Sequence, residues 1–263
     1  MTSKAIAIPE LVRRFAIDVI YPAASAAYTI MNVPNPALPT GYTMVGPIEA
    51  DPQQAAPVMA QTDSNRHRMV HGMLSESNIF GLVAWNASES TAIISFRGTK
   101  TVAEWVADVD AVPVPYLPVK GAGLVHMGFQ LVYEHVRRSV PPLLNQCTGA
   151  KRVLITGHSL GSALAVLGGF DIGKNSPLKV IPELYTWAGP RTGAPDFAGN
   201  FGALITTCYR VVNFMDVVPQ VPLPPLYQHV GNEVLVHGGF RPLDITYAHH
   251  LTTYLAGLQR LQP

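Results

Sequence analysis

The residues most suited to chemistry in this sequence are a serine and its flanking glycines, Gly157-His158-Ser159-Leu160-Gly161. The apolar run Arg152–Thr156 precedes them and the small-residue stretch Leu160–Phe170 follows, which predicts a strand, a sharp turn and a helix. Such a turn lifts a serine hydroxyl above the sheet, and glycines let strand and helix pass closely. The amide of Leu160, at a helix N-terminus, would face a developing oxyanion. The pattern predicts that Ser159 is the nucleophile of an acyl-transfer reaction.

A serine nucleophile needs a base and an acid, which in this kind of site follow it in the order acid and then histidine. The carboxylates after Ser159 are Asp171, Glu183, Asp196, Asp216, Glu233 and Asp244, and the histidines are His229, His237, His249 and His250. Asp216 directly follows an apolar run that predicts a strand, where a parallel sheet presents its functional end. His249 and His250 lie at the start of the last predicted helix. Because consecutive helical residues point about 100° apart, only one of them can face the serine.

The segments around these residues alternate between strand and helix patterns. We predict a long helix over residues 9–31 that bends near Pro22, a surface connection over 32–66 with a short helix near 53–60, and strands at 78–85 and 91–96 that form a hairpin. Further along we predict helices at 128–144, 160–170, 195–201 and 250–261, strands at 152–156, 183–188 and 209–214, and a hairpin at 227–237. This alternation predicts an α/β fold with a mostly parallel sheet flanked by helices.

The composition favours one large α/β domain over residues 1–263, because 48% of the residues are apolar and only 13% are charged. The net charge of +1, without a run of Lys or Arg, argues against a nucleic-acid partner. No apolar stretch reaches the roughly 20 residues of a transmembrane segment. The first residues do not form a signal-peptide pattern, so we expect a soluble chain that is secreted only if a signal precedes residue 1. Cys147 and Cys208 lack metal-ligand spacing, and we expect two free thiols, with a single Cys147–Cys208 disulfide as the alternative.

Five ordered motifs between Ile79 and Leu258 resemble the class 3 lipases, the family of the filamentous-fungal triacylglycerol lipases. They are Ile94-Ser95-Phe96-Arg97-Gly98-Thr99, Val125-His126-Met127-Gly128-Phe129, the serine turn, Trp187-Ala188-Gly189-Pro190-Arg191-Thr192-Gly193, and Val212-Asn213-Phe214-Met215-Asp216-Val217-Val218-Pro219. The stretch His249–Tyr254 resembles the final segment of the family. The resemblance implies an α/β-hydrolase fold that requires no metal or organic cofactor.

The resemblance also implies roles for individual residues. Asp216 matches the acid of the family's catalytic triad, and Thr99 matches the residue whose amide completes the oxyanion hole. His249 is favoured as the base because the spacing His249, Leu251, Tyr254 matches many members, while His250 remains the alternative.

Residues 100–110 resemble the short helical lid of the fungal lipases. Val102, Trp105 and Val106 fall at helical spacing i, i+3 and i+4, so one face of this helix would be apolar and could contact substrate. An ordinary surface helix with Trp105 packed inward is the alternative.

Together these features predict a serine carboxylester hydrolase that works through an acyl-enzyme. Its expected substrate is a triacylglycerol or another lipid ester at an oil–water or membrane surface. The alternatives are a short-chain or feruloyl-type esterase, a phospholipase A1, or a non-catalytic family member that binds lipid.

Overall fold

The computed structural model describes residues 9–53, 77–99, 112–239, 241, 244 and 246–261. The strands in these residues are β1 Thr43–Glu49, β2 Ile79–Asn86, β3 Thr91–Phe96, β4 Pro113–Pro115, β5 Leu124–His126, β6 Arg152–His158, β7 Glu183–Trp187, β8 Cys208–Asn213 and β9 Asn232–Val236. The α-helices are α1 Glu10–Phe15, α2 Tyr21–Thr29, α3 Met127–Val136, α4 Val140–Leu144, α5 Leu160–Asn175, α6 Pro195–Leu204 and α7 Leu251–Arg260.

A seven-stranded sheet with the order β1-β2-β3-β6-β7-β8-β9 forms the centre of the fold. Strands β1, β2 and β3 pair antiparallel, and β3, β6, β7, β8 and β9 pair parallel. Strands β4 and β5 form a separate antiparallel ribbon. The prediction of a mostly parallel sheet is confirmed. Its parallel strands all end at the same edge, so the loops after β3, β6, β8 and β9 meet there.

The central strands are apolar on both sides because helices cover both faces of the sheet. Ile94 and Ile155 pack into one core, and their sequence neighbours Ile93 and Leu154 pack into the other. Helices α3, α5 and α6 complete the first core with Phe129, Leu164, Phe170, Phe197 and Phe201. Helices α2 and α7 complete the second core with Ala23, Ala24, Ala26, Tyr254 and Leu258. Close packing of this kind leaves the ends of the parallel strands little freedom to move.

The predicted N-terminal helix is present, and its irregularity takes a particular form. A π-helical segment, Ala16–Ile20, separates α1 from α2 and ends just before Pro22. Proline has no amide hydrogen and its ring crowds the preceding turn, so the α-helical hydrogen-bond ladder cannot pass through it unchanged. Helix α2 resumes with Pro22 in its first turn, which keeps Tyr28 on the face next to the sheet edge.

The secondary structure differs from the prediction in two segments. Strand β1 lies within the predicted surface connection of residues 32–66, where Gly46 and Pro47 hid the strand pattern. A proline is tolerated there because, within the described residues, β1 is the first strand of the sheet and pairs only with β2. The predicted hairpin at 227–237 is also wrong, because only β9 forms and it pairs parallel with β8. The loop before β9 is instead irregular and contains Pro224 and Pro225.

The predicted helix over 128–144 is divided into three parts. Helix α3 is followed by a 3₁₀ turn, Arg137–Ser139, and then by α4. Pro141 and Pro142 occupy the start of α4, where the missing amide hydrogens cost least, and they prevent α3 from continuing. The short helix predicted at 53–60 falls almost entirely outside the described residues.

Cys147 and Cys208 are buried free thiols, as expected. No helix in the described part of the chain is both long enough and apolar enough to cross a membrane.

Candidate active site

Ser159 occupies a strained turn between β6 and α5, with φ of 61° and ψ of −127°. A non-glycine residue rarely holds a positive φ, and here the surrounding packing imposes it. A Cβ on Gly157 would lie 2.1 Å from the Gly161 carbonyl oxygen, and one on Gly161 would lie 2.3 Å from the Phe96 carbonyl oxygen. Only glycine fits at either position, so the turn has the geometry that the motif predicts.

Two hydrogen bonds fix this turn to the neighbouring strand β7. The amide of Ser159 donates to the Trp187 carbonyl oxygen at 3.0 Å. The hydroxyl of Ser162, one turn into α5, lies 2.7 Å from the carbonyl oxygens of both Trp187 and Gly157. Ser159 is therefore carried by a rigid part of the backbone.

Asp216 lies in the loop after β8 and accepts three hydrogen bonds from residues in the described part of the chain. Its Oδ1 accepts from the amide of Val218 at 3.0 Å, and its Oδ2 lies 2.7 Å from His249 Nδ1 and 2.6 Å from the Tyr254 hydroxyl. Burial raises the pKa of Tyr254 well above its ordinary value, and the nearby Asp216 raises it further, so the phenol stays protonated and donates. An ionised carboxylate can only accept, so the His249 proton lies on Nδ1 and its Nε2 carries the free lone pair.

Ser159 Oγ and His249 Nε2 are buried polar atoms without a hydrogen-bond partner among the described residues. Buried polar atoms without partners are destabilising and rare, and they concentrate at functional sites. Catalytic hydrogen bonds are often long before substrate binds and shorten in the complex.

One buried side chain fixes the His249 segment to the strand that carries Asp216. Asn213, the last residue of β8, donates from Nδ2 to the Ala248 carbonyl oxygen at 2.8 Å. Its Oδ1 accepts from the Gly238 amide at 3.0 Å, which connects the end of β9 to the same point. His250, in contrast, is exposed and its ring contacts Tyr247. Of the two adjacent histidines, His249 is therefore the one that contacts the carboxylate.

The loop after β3 lies against the serine turn on its other side. Thr99 is buried in this loop, and Leu160 is buried at the first position of α5. Gly98 fits so closely that a Cβ there would lie 3.1 Å from Ser159 Cβ. Arg97 stabilises the loop by donating to main-chain carbonyls, including that of Gly98 at 2.8 Å. The structure thus places Leu160 directly after Ser159, and it places Gly98, the neighbour of Thr99, against Ser159.

The predicted substrate contacts Val102, Trp105 and Val106 lie outside the described residues, as does the whole predicted lid. Within the described residues, no group of His, Cys, Asp and Glu side chains is arranged to hold a metal ion. His126 accepts a hydrogen bond from the Gly128 amide at the start of α3. Arg191 donates to the Gln220 and Pro222 carbonyl oxygens.

The structure places two further residues, Tyr28 and His158, at this edge of the sheet, and the sequence indicated no role for either. The imidazole of His158 contacts the Tyr28 hydroxyl through Nδ1 and the His249 carbonyl oxygen through Nε2, each at 2.8 Å. Burial lowers the pKa of His158 well below its ordinary value, so its ring is neutral. The position of His158 next to Ser159 was the available signal, and Tyr28, 130 residues earlier, had none.

A mostly parallel sheet with a serine on a strained strand-to-helix turn, and an aspartate and a histidine presented at the same edge, defines an α/β-hydrolase. The sequence profile described as Lipase (class 3) matches residues 93–225, which is half of the chain. The chain belongs to the class 3 lipase family.

Individual relatives extend this likeness. A lipase from Rhizopus niveus is 34% identical over 180 residues, which are 66% of this chain and 45% of that protein. Phospholipase A1-II 6 from Oryza sativa subsp. japonica is 32% identical over an alignment of 228 positions, gaps included, that covers 70% of this chain and 56% of that protein. The chain thus spans about half the length of the curated relatives it matches. A solved triacylglycerol lipase whose catalytic centre is a serine protease triad superimposes with a TM-score of 0.64 and 25% identity, over 88% of this chain and 82% of that one.

Proposed function

We propose that this chain is a serine carboxylester hydrolase with Ser159 as nucleophile, His249 as general base and Asp216 as its orienting acid. The observation that carries the proposal is the 2.7 Å contact between His249 Nδ1 and Asp216 Oδ2, next to a serine held on a strained turn. This contact fixes the histidine tautomer, so that Nε2 can take a proton. A purely structural histidine would be expected to use both of its ring nitrogens.

The proposed reaction is a two-step acyl transfer. His249 Nε2 removes the Ser159 proton while Oγ attacks the ester carbonyl carbon, and Asp216 stabilises the imidazolium. The amides of Thr99 and Leu160 donate hydrogen bonds to the oxyanion. The helix dipole of α5 adds to the stabilisation from the Leu160 amide, because this amide lies at the N-terminus of the helix. The imidazolium then returns its proton to the leaving alcohol. Water, deprotonated by the same histidine, attacks the acyl-enzyme. The imidazolium returns this proton to Ser159 Oγ as the bond to the acyl group breaks, and the carboxylic acid is released.

We propose a lipid surface as the place of reaction, because the loop that carries Asp216 is apolar on its outside. Asp216 is the only charged residue between positions 214 and 228, and its side chain is buried. Five large apolar side chains are exposed in this stretch: Phe214, Met215, Val217, Leu223 and Leu226. Exposed apolar groups this close together are uncommon on monomeric proteins and are typical of surfaces that bind lipid or protein.

The proposed substrate is a triacylglycerol or a related neutral lipid ester. Phospholipase A1 activity is the second candidate, because a rice relative carries that name. Rates on emulsified triolein and on phosphatidylcholine vesicles separate the two.

The experiment that tests the catalytic roles combines labelling with two adjacent variants. Wild type should react with a fluorophosphonate probe and hydrolyse p-nitrophenyl butyrate, and Ser159→Ala should do neither. His249→Ala should lower kcat by at least about 1000-fold, as when one member of a triad is removed, and His250→Ala should lower it by less than about tenfold. A dead His250→Ala with an active His249→Ala would contradict the assignment of the base.

A separate pair of variants tests the lipid surface. Leu223→Glu should depress hydrolysis of emulsified triolein much more than that of soluble p-nitrophenyl butyrate. Leu11→Glu is the matched control, because Leu11 on α1 is 80% exposed and Leu223 is 70% exposed. Equal effects of the two variants on the emulsion would refute a role for residues 214–226.

A further inference from the structure

His158 is buried at the end of β6 and uses both of its ring nitrogens. Nε2 faces the main-chain carbonyl oxygen of His249, which can only accept, so Nε2 carries the proton. The ring is neutral, so Nδ1 has no proton and accepts from the hydroxyl of Tyr28. The direction of the chain is therefore fixed: Tyr28 donates to His158, and His158 donates to His249.

The rings around His158 leave it little room to turn. Its centroid lies 4.8 Å from the His249 ring, 5.9 Å from the Tyr28 ring and 6.2 Å from the Tyr254 ring. A residue needed only to fill this space could be apolar, and it would avoid the cost of desolvating two ring nitrogens. The polar contacts of His158 lead instead to the residue proposed as general base.

Tyr28 lies where the loop after β3 meets the serine turn. A Cβ on Gly98 would lie 2.4 Å from the Tyr28 hydroxyl and 2.8 Å from the His158 carbonyl oxygen. The hydroxyl thus lies against the loop that leads to Thr99 as well as against the serine turn. Burial raises the pKa of Tyr28 above its ordinary value, so it remains a donor.

We propose that Tyr28 and His158 are positioning residues for His249. The hydrogen-bond chain from the Tyr28 hydroxyl through the His158 imidazole to the His249 carbonyl sets where the His249 ring stands between Asp216 and Ser159. Asp216 contacts the imidazole of His249, and His158 contacts the main-chain carbonyl oxygen of His249. The inference rests on the proposed function, because it concerns the base of that reaction.

The first test removes the hydroxyl that begins the chain. Tyr28→Phe should lower kcat for p-nitrophenyl butyrate by about 10-fold with little change in KM, because small displacements of a reacting group cost one to two orders of magnitude. Tyr116→Phe is the matched control, because the buried Tyr116 hydroxyl donates to the Leu167 carbonyl oxygen at 2.7 Å within a core. This control should lose stability but keep kcat within about twofold, as expected for a hydroxyl that does not touch the site. A Tyr28→Phe variant with wild-type kcat would overturn the inference.

The second test asks whether Tyr28 acts through His158. His158→Gln can still donate to the His249 carbonyl and should retain more activity than His158→Leu, which cannot. In a double-mutant cycle, Tyr28→Phe should cost nothing further once His158→Leu is present. Losses that multiply, or equal losses for Gln and Leu, would overturn the proposed chain.

A readout without turnover keeps this inference separate from the proposed function. The proton on His249 Nδ1, hydrogen-bonded to Asp216, should give a downfield NMR resonance that shifts or exchanges faster with solvent in Tyr28→Phe but not in Tyr116→Phe. An unchanged resonance in Tyr28→Phe would refute the positioning role. If wild type hydrolyses no ester, the proposed function fails, and this resonance still decides whether Tyr28 and His158 position His249.

Discussion

Gly98→Ala is the substitution whose effect on the site follows most directly from the geometry. The added Cβ would lie 2.4 Å from the Tyr28 hydroxyl, 2.8 Å from the His158 carbonyl oxygen and 3.1 Å from Ser159 Cβ, whereas ordinary contacts begin at 3.4 Å. The Tyr28 hydroxyl is displaced, and the loop after β3 and the serine turn must separate by about 0.6 Å, because the contact with the His158 carbonyl oxygen is a backbone contact. Thr99 moves with this loop, and its amide moves away from the developing oxyanion. We expect kcat to fall by about 10- to 100-fold, since a 1 Å misplacement costs about 100-fold.

The assay is kcat for p-nitrophenyl butyrate, measured with the urea midpoint of unfolding for the same samples. Gly199→Ala is the matched control, because a Cβ at this helical position in α6 would meet nothing within 4 Å. This control should keep wild-type kcat and gain about 0.5–1 kcal/mol in free energy of unfolding. A folded Gly98→Ala variant with kcat within twofold of wild type would refute the close fit between the two loops.

Three further substitutions or conditions have calculable outcomes. Asp216→Asn should lower kcat by about 10⁴-fold, because the amide favours the wrong histidine tautomer; near-normal turnover would exclude Asp216 as the acid. Asp171→Ala should lower the free energy of unfolding by about 1.5–3 kcal/mol in urea titrations, because it removes the carboxylate that Arg137 contacts at 3.0 Å, while Glu134 stays 3.9 Å from Arg137; a loss below 1 kcal/mol would contradict this. Burial lowers the pKa of both His158 and His229 well below the unfolded value of 6.5. The unfolded chain therefore binds more protons below pH 6.5, and stability should fall with decreasing pH there by up to about 1.4 kcal/mol per pH unit for each histidine. His229→Gln should make this slope smaller, and an unchanged slope would show that His229 does not contribute.

The catalytic edge was predictable because its residues lie next to strong local patterns. The Gly-x-Ser-x-Gly motif between an apolar strand and a small-residue helix has few structural solutions, and Asp216 directly follows an apolar strand. The histidine position was harder. The spacing of His249, Leu251 and Tyr254 favoured His249 without excluding His250, and the contact of His249 with Asp216 distinguishes the two.

The missed features depend on contacts between distant segments. Strand β1 has little strand pattern of its own and exists because β2 offers it a partner. Strand β9 was assigned to a hairpin because local sequence does not reveal that β8, earlier in the chain, is its neighbour. The contact between Tyr28 and His158 spans 130 residues. Tertiary pairing decides each of these cases, and it overrides local propensity.

Pro47 in β1 has a consequence for the behaviour of the protein in concentrated solution. An edge strand exposes unpaired amides that another chain can use to extend the sheet, which is a common route to aggregation. Proline contributes no amide hydrogen, and the register of β1 against β2 shifts twice, between Met44 and Gly46 and between Ile48 and Glu49. Such irregularities bend an edge and interrupt its hydrogen-bonding pattern. The same residue that obscured β1 in the sequence thus makes this edge a poor template for intermolecular β-sheet.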